Sequence, residues 1–262
     1  MLPTPDTSHV PYSRVYEPAE DSFLLLDTLS SPPEQRFLRR AFPPASPAPL
    51  VLEVGTGSGV VLAFVNAHAH TILGRRDVLS AGVDMNAFAC GATMRTVAKA
   101  VDDTGGASGV HLGACVGDLA SSWADGTVDV LIFNPPYVPT AETPVRPEGF
   151  GSGSGSGGGG GGAAAGPTVS WDDEAYLLSL AYAGGRDGME TTDRLLGDLA
   201  RVLSARGCAY VVLCAQNGPA GVRERIRARG GGWRAETVGS SGKTAGWERL
   251  QVVRIWRERE DA

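Results

Sequence analysis

Apolar positions along the chain fall into two rhythms. From residue 50 onward, short runs that are apolar at nearly every position alternate with longer stretches whose apolar residues recur every three or four positions. The runs at 50–54, 79–84, 110–116, 128–133, 208–214, 233–238 and 248–256 predict strands. The stretches at 60–69, 86–101, 172–183, 189–204 and 219–229 predict helices. Strands with no polar face belong to a sheet covered on both sides, which makes it mostly parallel. Right-handed crossovers then wind it doubly. Before residue 50, Phe23, Leu24, Leu25, Leu26 and Leu29 predict a helix. Pro18 suits its first turn, and the acids at 17, 20 and 21 suit its positive end. A short helical piece is expected near 34–41 inside a proline-rich connector, and residues 1–15 read as mobile or draped.

Domain organisation follows from where this rhythm begins and breaks. Residues 1–49 are expected to form an N-terminal segment whose helix packs on the domain that follows, and 50–262 one α/β domain. The rhythm breaks at about 143–170, which is rich in Gly, Pro and Ala. Positions 151–162 hold only nine glycines and three serines. This insertion is expected to be unstructured, and a coil of about 25 residues spans roughly 25–30 Å.

Charge and cysteines narrow the function classes. The chain of 262 residues carries a net charge of −6. It has no dense Lys/Arg block apart from the scattered arginines of 223–229, which disfavours nucleic acid as a partner. Cysteines 90, 115, 208 and 214 and histidines 9, 68, 70 and 111 make no metal-ligand spacing, so no metal is expected. Cys115, Cys208 and Cys214 fall in apolar runs and are expected as buried, reduced thiols. No secretory signal and no membrane-length apolar run is present, so a cytoplasmic protein is expected, with the nucleus also open.

Two segments carry chemistry. The first is Gly55-Thr56-Gly57-Ser58-Gly59, a glycine turn between a strand and a helix. By itself it fits any nucleotide-like cofactor. Glu53, two residues earlier, sharpens the choice. A carboxylate there repels a pyrophosphate and attracts a cation; at ~5 Å and an effective dielectric of ~20 each effect is worth about 3 kcal/mol. S-adenosylmethionine carries an ammonium and a sulfonium and no phosphate. Asp84, at the end of the second strand, is placed to accept ribose hydroxyls, a requirement shared with NAD enzymes; it also reads as a helix cap. Asp118 can accept from an adenine amino group while Leu119 packs on the ring, or it can cap a turn.

The second segment is Asn134-Pro135-Pro136-Tyr137, directly after the fourth strand. Consecutive prolines fix φ and remove two backbone donors. The Asn134 side-chain oxygen and the Pro135 carbonyl then form two rigid acceptors that match a planar –NH₂ group, with Tyr137 able to stack on its face. An amide or an exocyclic amine fits. Acceptors on both hydrogens return electron density to an amide nitrogen and aim it at a methyl donor. Orientation of this kind can contribute ~7–11 kcal/mol.

Together these residues resemble the class I S-adenosylmethionine-dependent methyltransferases, and more narrowly the HemK-type release-factor glutamine methyltransferases in their eukaryotic and archaeal branch. The resemblance rests on Val15-Tyr16-Glu17-Pro18-Ala19-Glu20-Asp21-Ser22, Leu52 to Gly59, Asp118-Leu119, Phe133 to Val138 and Ala183-Gly184-Gly185-Arg186-Asp187-Gly188. It implies a Rossmann-like domain with a seven-stranded, mostly parallel sheet, helices on both faces and an antiparallel C-terminal strand. It implies Ser22, Glu53, Gly55, Gly57, Asp84, Asp118, Leu119 and Asn134 at cofactor-contacting positions. Asn134, Pro135, Pro136 and Tyr137 stand at the substrate, with Asn134, Pro135 and Tyr137 in the catalytic role. The implied substrate is the glutamine of the Gly-Gly-Gln loop of a class 1 peptide-chain release factor, in complex with its GTPase. The implied partner is a small zinc-binding activator subunit paired with an edge strand at Val110 to Val116, making this chain the catalytic subunit of a heterodimer. The 49 residues before the first strand are too few for the helical substrate domain of bacterial members. N6-adenine methylation of nucleic acid and methylation of a protein lysine remain the alternatives. A non-catalytic scaffold and a dehydrogenase are the readings from other classes.

Overall fold

The computed structural model describes residues 2–106, 108–148, 150, 170–242 and 249–258. Seven strands form one sheet: β1 Leu50–Val54, β2 Leu79–Asp84, β3 Val110–Val116, β4 Val128–Phe133, β5 Leu203–Cys214, β6 Trp233–Ser240 and β7 Leu250–Arg257. Their order is β3-β2-β1-β4-β5-β7-β6. Pairing is parallel from β3 through β5, and β7 runs antiparallel to both its neighbours. The expected doubly wound sheet with an antiparallel C-terminal strand is the observed one. Strand order reverses between β1 and β4, so a crevice opens at their carboxyl ends.

Among the described residues eight α-helices accompany the strands: α1 Glu20–Leu29, α2 Pro32–Ala41, α3 Val60–Ala67, α4 Ala69–Leu73, α5 Ala87–Asp103, α6 Trp171–Tyr182, α7 Glu190–Val202 and α8 Pro219–Arg227. Alternate strand residues feed two cores. Val51, Val130, Ile132, Tyr210 and Val212 pack with α1 to α4. Leu52, Val54, Leu131, Phe133, Val211 and Leu213 pack with α7 and α8. The first core is riveted by a buried ion pair in which Arg254 on β7 donates to both oxygens of Glu34 on α2 at 2.7 Å; Tyr210 donates to the same carboxylate at 2.7 Å. The N-terminal arm lies on α5, with Val10 and Val15 against Ala89 and Ala92.

Several boundaries differ from the sequence reading. The helix expected at 60–69 breaks at His68, whose backbone leaves helical geometry, and resumes as α4. β5 begins at Leu203 rather than 208. The helix expected through 204 ends at Val202, and the expected gap at 205–207 belongs to the strand, since Leu203 pairs with Val128 across a register shift. Pro18 stands outside α1, which starts at Glu20 behind an uncapped Ala19. Cys115 is exposed rather than buried, because β3 lies at the sheet edge; Cys90, Cys208 and Cys214 are buried free thiols. Burial pushes the Cys90 thiol up to about 11, which keeps it protonated and unreactive. Most of the expected insertion, 151–169, lies outside the described residues. Among the described residues no helix is long and apolar enough to cross a membrane.

Candidate active site

A cavity of about 280 Å³ opens at the carboxyl ends of β1, β2, β3 and β4. This is close to the lower end of small-ligand clefts, roughly 300 Å³. Its walls come from every segment that carried chemistry in the sequence. Ser22, Glu53, Gly55, Gly57, Asp84, Asp118, Leu119, Asn134 and Pro136 all line it. Pro135, between two lining residues, is buried and is not itself part of the lining. Tyr137 does not line it either: its side chain packs on the first core, and its hydroxyl donates to Asp21 Oδ2 at 3.2 Å.

The glycine turn is held by its own surroundings. Gly57 N–H donates to Asp84 Oδ2 at 3.0 Å, and Asn86 N–H donates to Oδ1 at 2.8 Å. Asp84 thus braces the turn it faces, and the helix cap is Asn86 itself, accepting from Phe88 N–H at 2.9 Å. Gly59 sits at φ +78°, where a Cβ would stand 2.5 Å from the Thr93 Cα. Only glycine lets α3 and α5 approach so closely.

Two buried carboxyl groups form the floor. Glu53 is 2 % exposed and accepts one hydrogen bond, from Leu62 N–H at 3.0 Å. Burial raises its carboxyl well above the usual range; the Leu62 N–H opposes this and the Asp84 charge reinforces it. Asp84 is raised as well, by burial, against the backbone N–H groups that bind it. A cation entering this cavity relieves both costs.

Three oxygens of lining residues are left open among the described residues: the Thr56 hydroxyl and two acceptors. Asn134 Oδ1 and Asp118 Oδ1 are buried and have no hydrogen-bond donor among the described residues. Buried acceptors without donors cost about 1–3 kcal/mol each, and both residues stand on the cavity wall. A carboxyl floor that a cation ionises, a braced glycine turn and open acceptors fit S-adenosylmethionine: cationic at one end, hydroxyl-bearing in the middle, amine-bearing at the base.

The sequence reading missed three residues that hold this site. Asp21, 3 % exposed, accepts from Tyr16 and Tyr137 hydroxyls at 3.2 Å each and from Ser22 N–H at 2.6 Å. Asn217 Nδ2 donates to the carbonyls of Tyr137 at 3.1 Å and Asp187 at 3.0 Å, while its Oδ1 accepts from Cys214 N–H at 2.8 Å. Arg194 on α7 pairs with Asp118. Asp21 lies inside a quoted motif, so its aromatic neighbours were a signal; Asn217 and Arg194 had none.

Fold and cavity define a class I methyltransferase whose cofactor is S-adenosylmethionine. No protein-family model matches the sequence. The chain is 32% identical over 260 residues to methyltransferase HEMK2 of Mus musculus, covering 97% of this chain and 96% of the relative. It is 31% identical over 265 residues to the eRF1 methyltransferase catalytic subunit mtq2 of Schizosaccharomyces pombe, covering 98% and 96%. Human methyltransferase HEMK2 is 30% identical, with 96% and 95% covered. The chain belongs to this HEMK2 family of methyltransferases.

Proposed function

We propose that this enzyme methylates the side-chain nitrogen of the glutamine in the Gly-Gly-Gln loop of a class 1 release factor. The observation that carries the reading is Asn134 Oδ1: a buried acceptor without a donor, on the wall of the cofactor cavity. The fission-yeast relative is named for methylation of eRF1, which supports the same substrate.

Bound S-adenosylmethionine supplies an electrophilic methyl group on a sulfonium. Glu53 offers its carboxylate to the cationic end, Asp84 to the ribose hydroxyls, and Asp118 Oδ1 to the base amine, with Leu119 against the ring. Ser22, Gly55 and Gly57 complete the cofactor wall. Asn134 Oδ1 and the Pro135 carbonyl accept the two amide hydrogens, which fixes the amide plane and returns electron density to nitrogen. Held there, the amide nitrogen would take the methyl group as its bond to sulfur broke, and the extra proton on nitrogen would pass to water. Tyr137 and Pro136 keep the acceptors rigid. Tyr137 does this through Asp21 rather than by stacking on the substrate.

β3 supports a heterodimer. It is an edge strand whose Val110, Leu112 and Val116 side chains are each more than half exposed. Such an edge is an aggregation hazard unless another chain covers it, and a small zinc-binding activator subunit fits there. Translation termination takes place in the cytoplasm, so the reading carries that compartment with it. Incubation of the heterodimer with labelled cofactor and release factor tests the proposal. Label is expected on the glutamine alone; label that persists after this glutamine is changed to alanine overturns it.

A further inference from the structure

The Asp118–Arg194 pair crosses the cavity wall. Arg194 Nη2 donates to Asp118 Oδ2 at 2.5 Å, and both residues line the cavity. The other oxygen of the same carboxylate, Oδ1, is buried without a donor among the described residues. The Asp118 side chain is nevertheless 45% exposed and that of Arg194 58% exposed. Among the described residues the guanidinium is the one hydrogen-bond partner of this carboxylate, and its loss frees the exposed side of the group to turn toward water. The turn bearing Asp118 is itself strained, because Leu119 adopts φ +51°, a left-handed conformation unfavourable for a branched side chain. Arg194 comes from a helix 76 residues further along the chain, so the pair joins α7 to the turn after β3.

We propose that Arg194 is a positioning residue that sets selectivity for an aminopurine in the cofactor. It anchors one oxygen of Asp118 so that the other presents a lone pair to the exocyclic amine. The proposal rests on the reading of Asp118 as the base acceptor. An adenine amine donates into that lone pair. A 6-oxopurine places its own lone pairs there, acceptor against acceptor, and leaves both groups unsatisfied. The guanidinium makes the contact charge-assisted, which shortens and orients it. Exposed ion pairs add little to stability, so removing Arg194 leaves the fold intact and its effect falls on ligand choice.

The test compares calorimetric binding of S-adenosylhomocysteine and S-inosylhomocysteine to the full chain. The wild type is expected to prefer the adenine ligand by about 10- to 100-fold, the ratio of one satisfied to one mispaired buried contact. Arg194→Ala should weaken the adenine ligand several-fold and leave the inosine ligand nearly unchanged, compressing the ratio; Arg194→Lys should restore part of it. If Arg194→Ala weakens both ligands equally or leaves the ratio intact, while Asp118→Asn compresses it, the role of Arg194 is overturned and Asp118 keeps its own. If Asp118→Asn also leaves the ratio unchanged, or the wild type shows no preference, the base reading fails first.

Discussion

Tyr137 donates its hydroxyl to Asp21 across 116 residues of sequence, at 3.2 Å. This hydrogen bond joins the Tyr16-to-Ser22 segment, whose Tyr16 and Ser22 line the cavity, to the Asn134-to-Tyr137 tetrapeptide. Asp21 is buried, so a lost donor is not replaced by water. Hydrogen bonds to charged groups contribute about 1.5–3 kcal/mol. Tyr137→Phe is therefore expected to lower kcat by roughly 10-fold or more, since ~1.4 kcal/mol is one decade. Cofactor affinity should change little. A Kd that weakens in step with kcat would show that the bond serves the cofactor rather than the tetrapeptide.

Asn134→Ala tests the acceptor directly. Truncation removes the open Oδ1 and leaves the floor carboxylates in place. Loss of one preorganised polar contact in a site of this kind costs about 10²–10³ in turnover. Transfer to the release factor should fall by that factor while calorimetric cofactor binding stays within about threefold. Turnover at the wild-type rate in this variant excludes Asn134 as the acceptor.

Glu53 gives the site a pH dependence with a defined sign. Its carboxyl is raised by burial, so the folded chain holds a proton that the unfolded chain releases in the usual carboxylate range. Ligand-free stability should be greatest below that range and fall as pH rises toward the raised value. A cation stabilises the ionised form, so cofactor affinity should climb across the same window and binding should release a proton. Calorimetry in buffers of different ionisation enthalpy measures that release, and Glu53→Gln should shrink both slopes and weaken the cofactor by at least about 10-fold. Unchanged slopes in Glu53→Gln would assign the proton elsewhere, with Asp84 the next carboxyl on that floor.

Gly188 shows how the chain beyond the insertion is fitted to the tetrapeptide. At φ +66°, a Cβ there would stand 2.0 Å from the Tyr137 carbonyl oxygen. That oxygen already accepts from Asn217 Nδ2. Gly188→Ala must push the tetrapeptide backbone aside and adopt a strained φ, at a cost of about 1–3 kcal/mol for the backbone alone. Thermal unfolding should drop by several degrees, and kcat should fall more than cofactor affinity. A variant with wild-type melting and turnover would mean that the turn relaxes without disturbing Tyr137.

The strands β1 through β4 were legible because their runs are largely apolar, and they begin and end where the pattern does. The glycine turn, Glu53, Asp84 and Asn134 were legible because strand ends in a doubly wound sheet converge on one crevice. What escaped was long-range. β5 extends through Ser204 to Gly207 because Val128 is there to pair with, which local polarity cannot reveal. Cys115 reads as core in an apolar run and becomes exposed only because β3 has one neighbour. Tyr137 looked like a stacking ring; it packs on the first core and its hydroxyl meets Asp21, which the chain delivers from α1.

The β3 edge supplies the remaining prediction. Leu112 and Val116 leave more than half of their side chains in solvent, and the strand carries no charged residue to discourage pairing. Covering these two side chains offers roughly 1.5–3 kcal/mol each on full burial, and a paired backbone adds the ladder hydrogen bonds. Leu112→Lys keeps the fold, since the side chain points into water in the free chain, but places a charge where a partner strand would pack. If the proposed zinc-binding activator pairs here, its co-expression with this variant should yield no complex, whereas the isolated variant should remain more soluble than the isolated wild type and bind cofactor equally well. Because the cavity sits at the carboxyl end of the same sheet, turnover should fall only as far as it does when the wild type is assayed without its partner. A variant that still co-purifies with the activator would move the interface off β3.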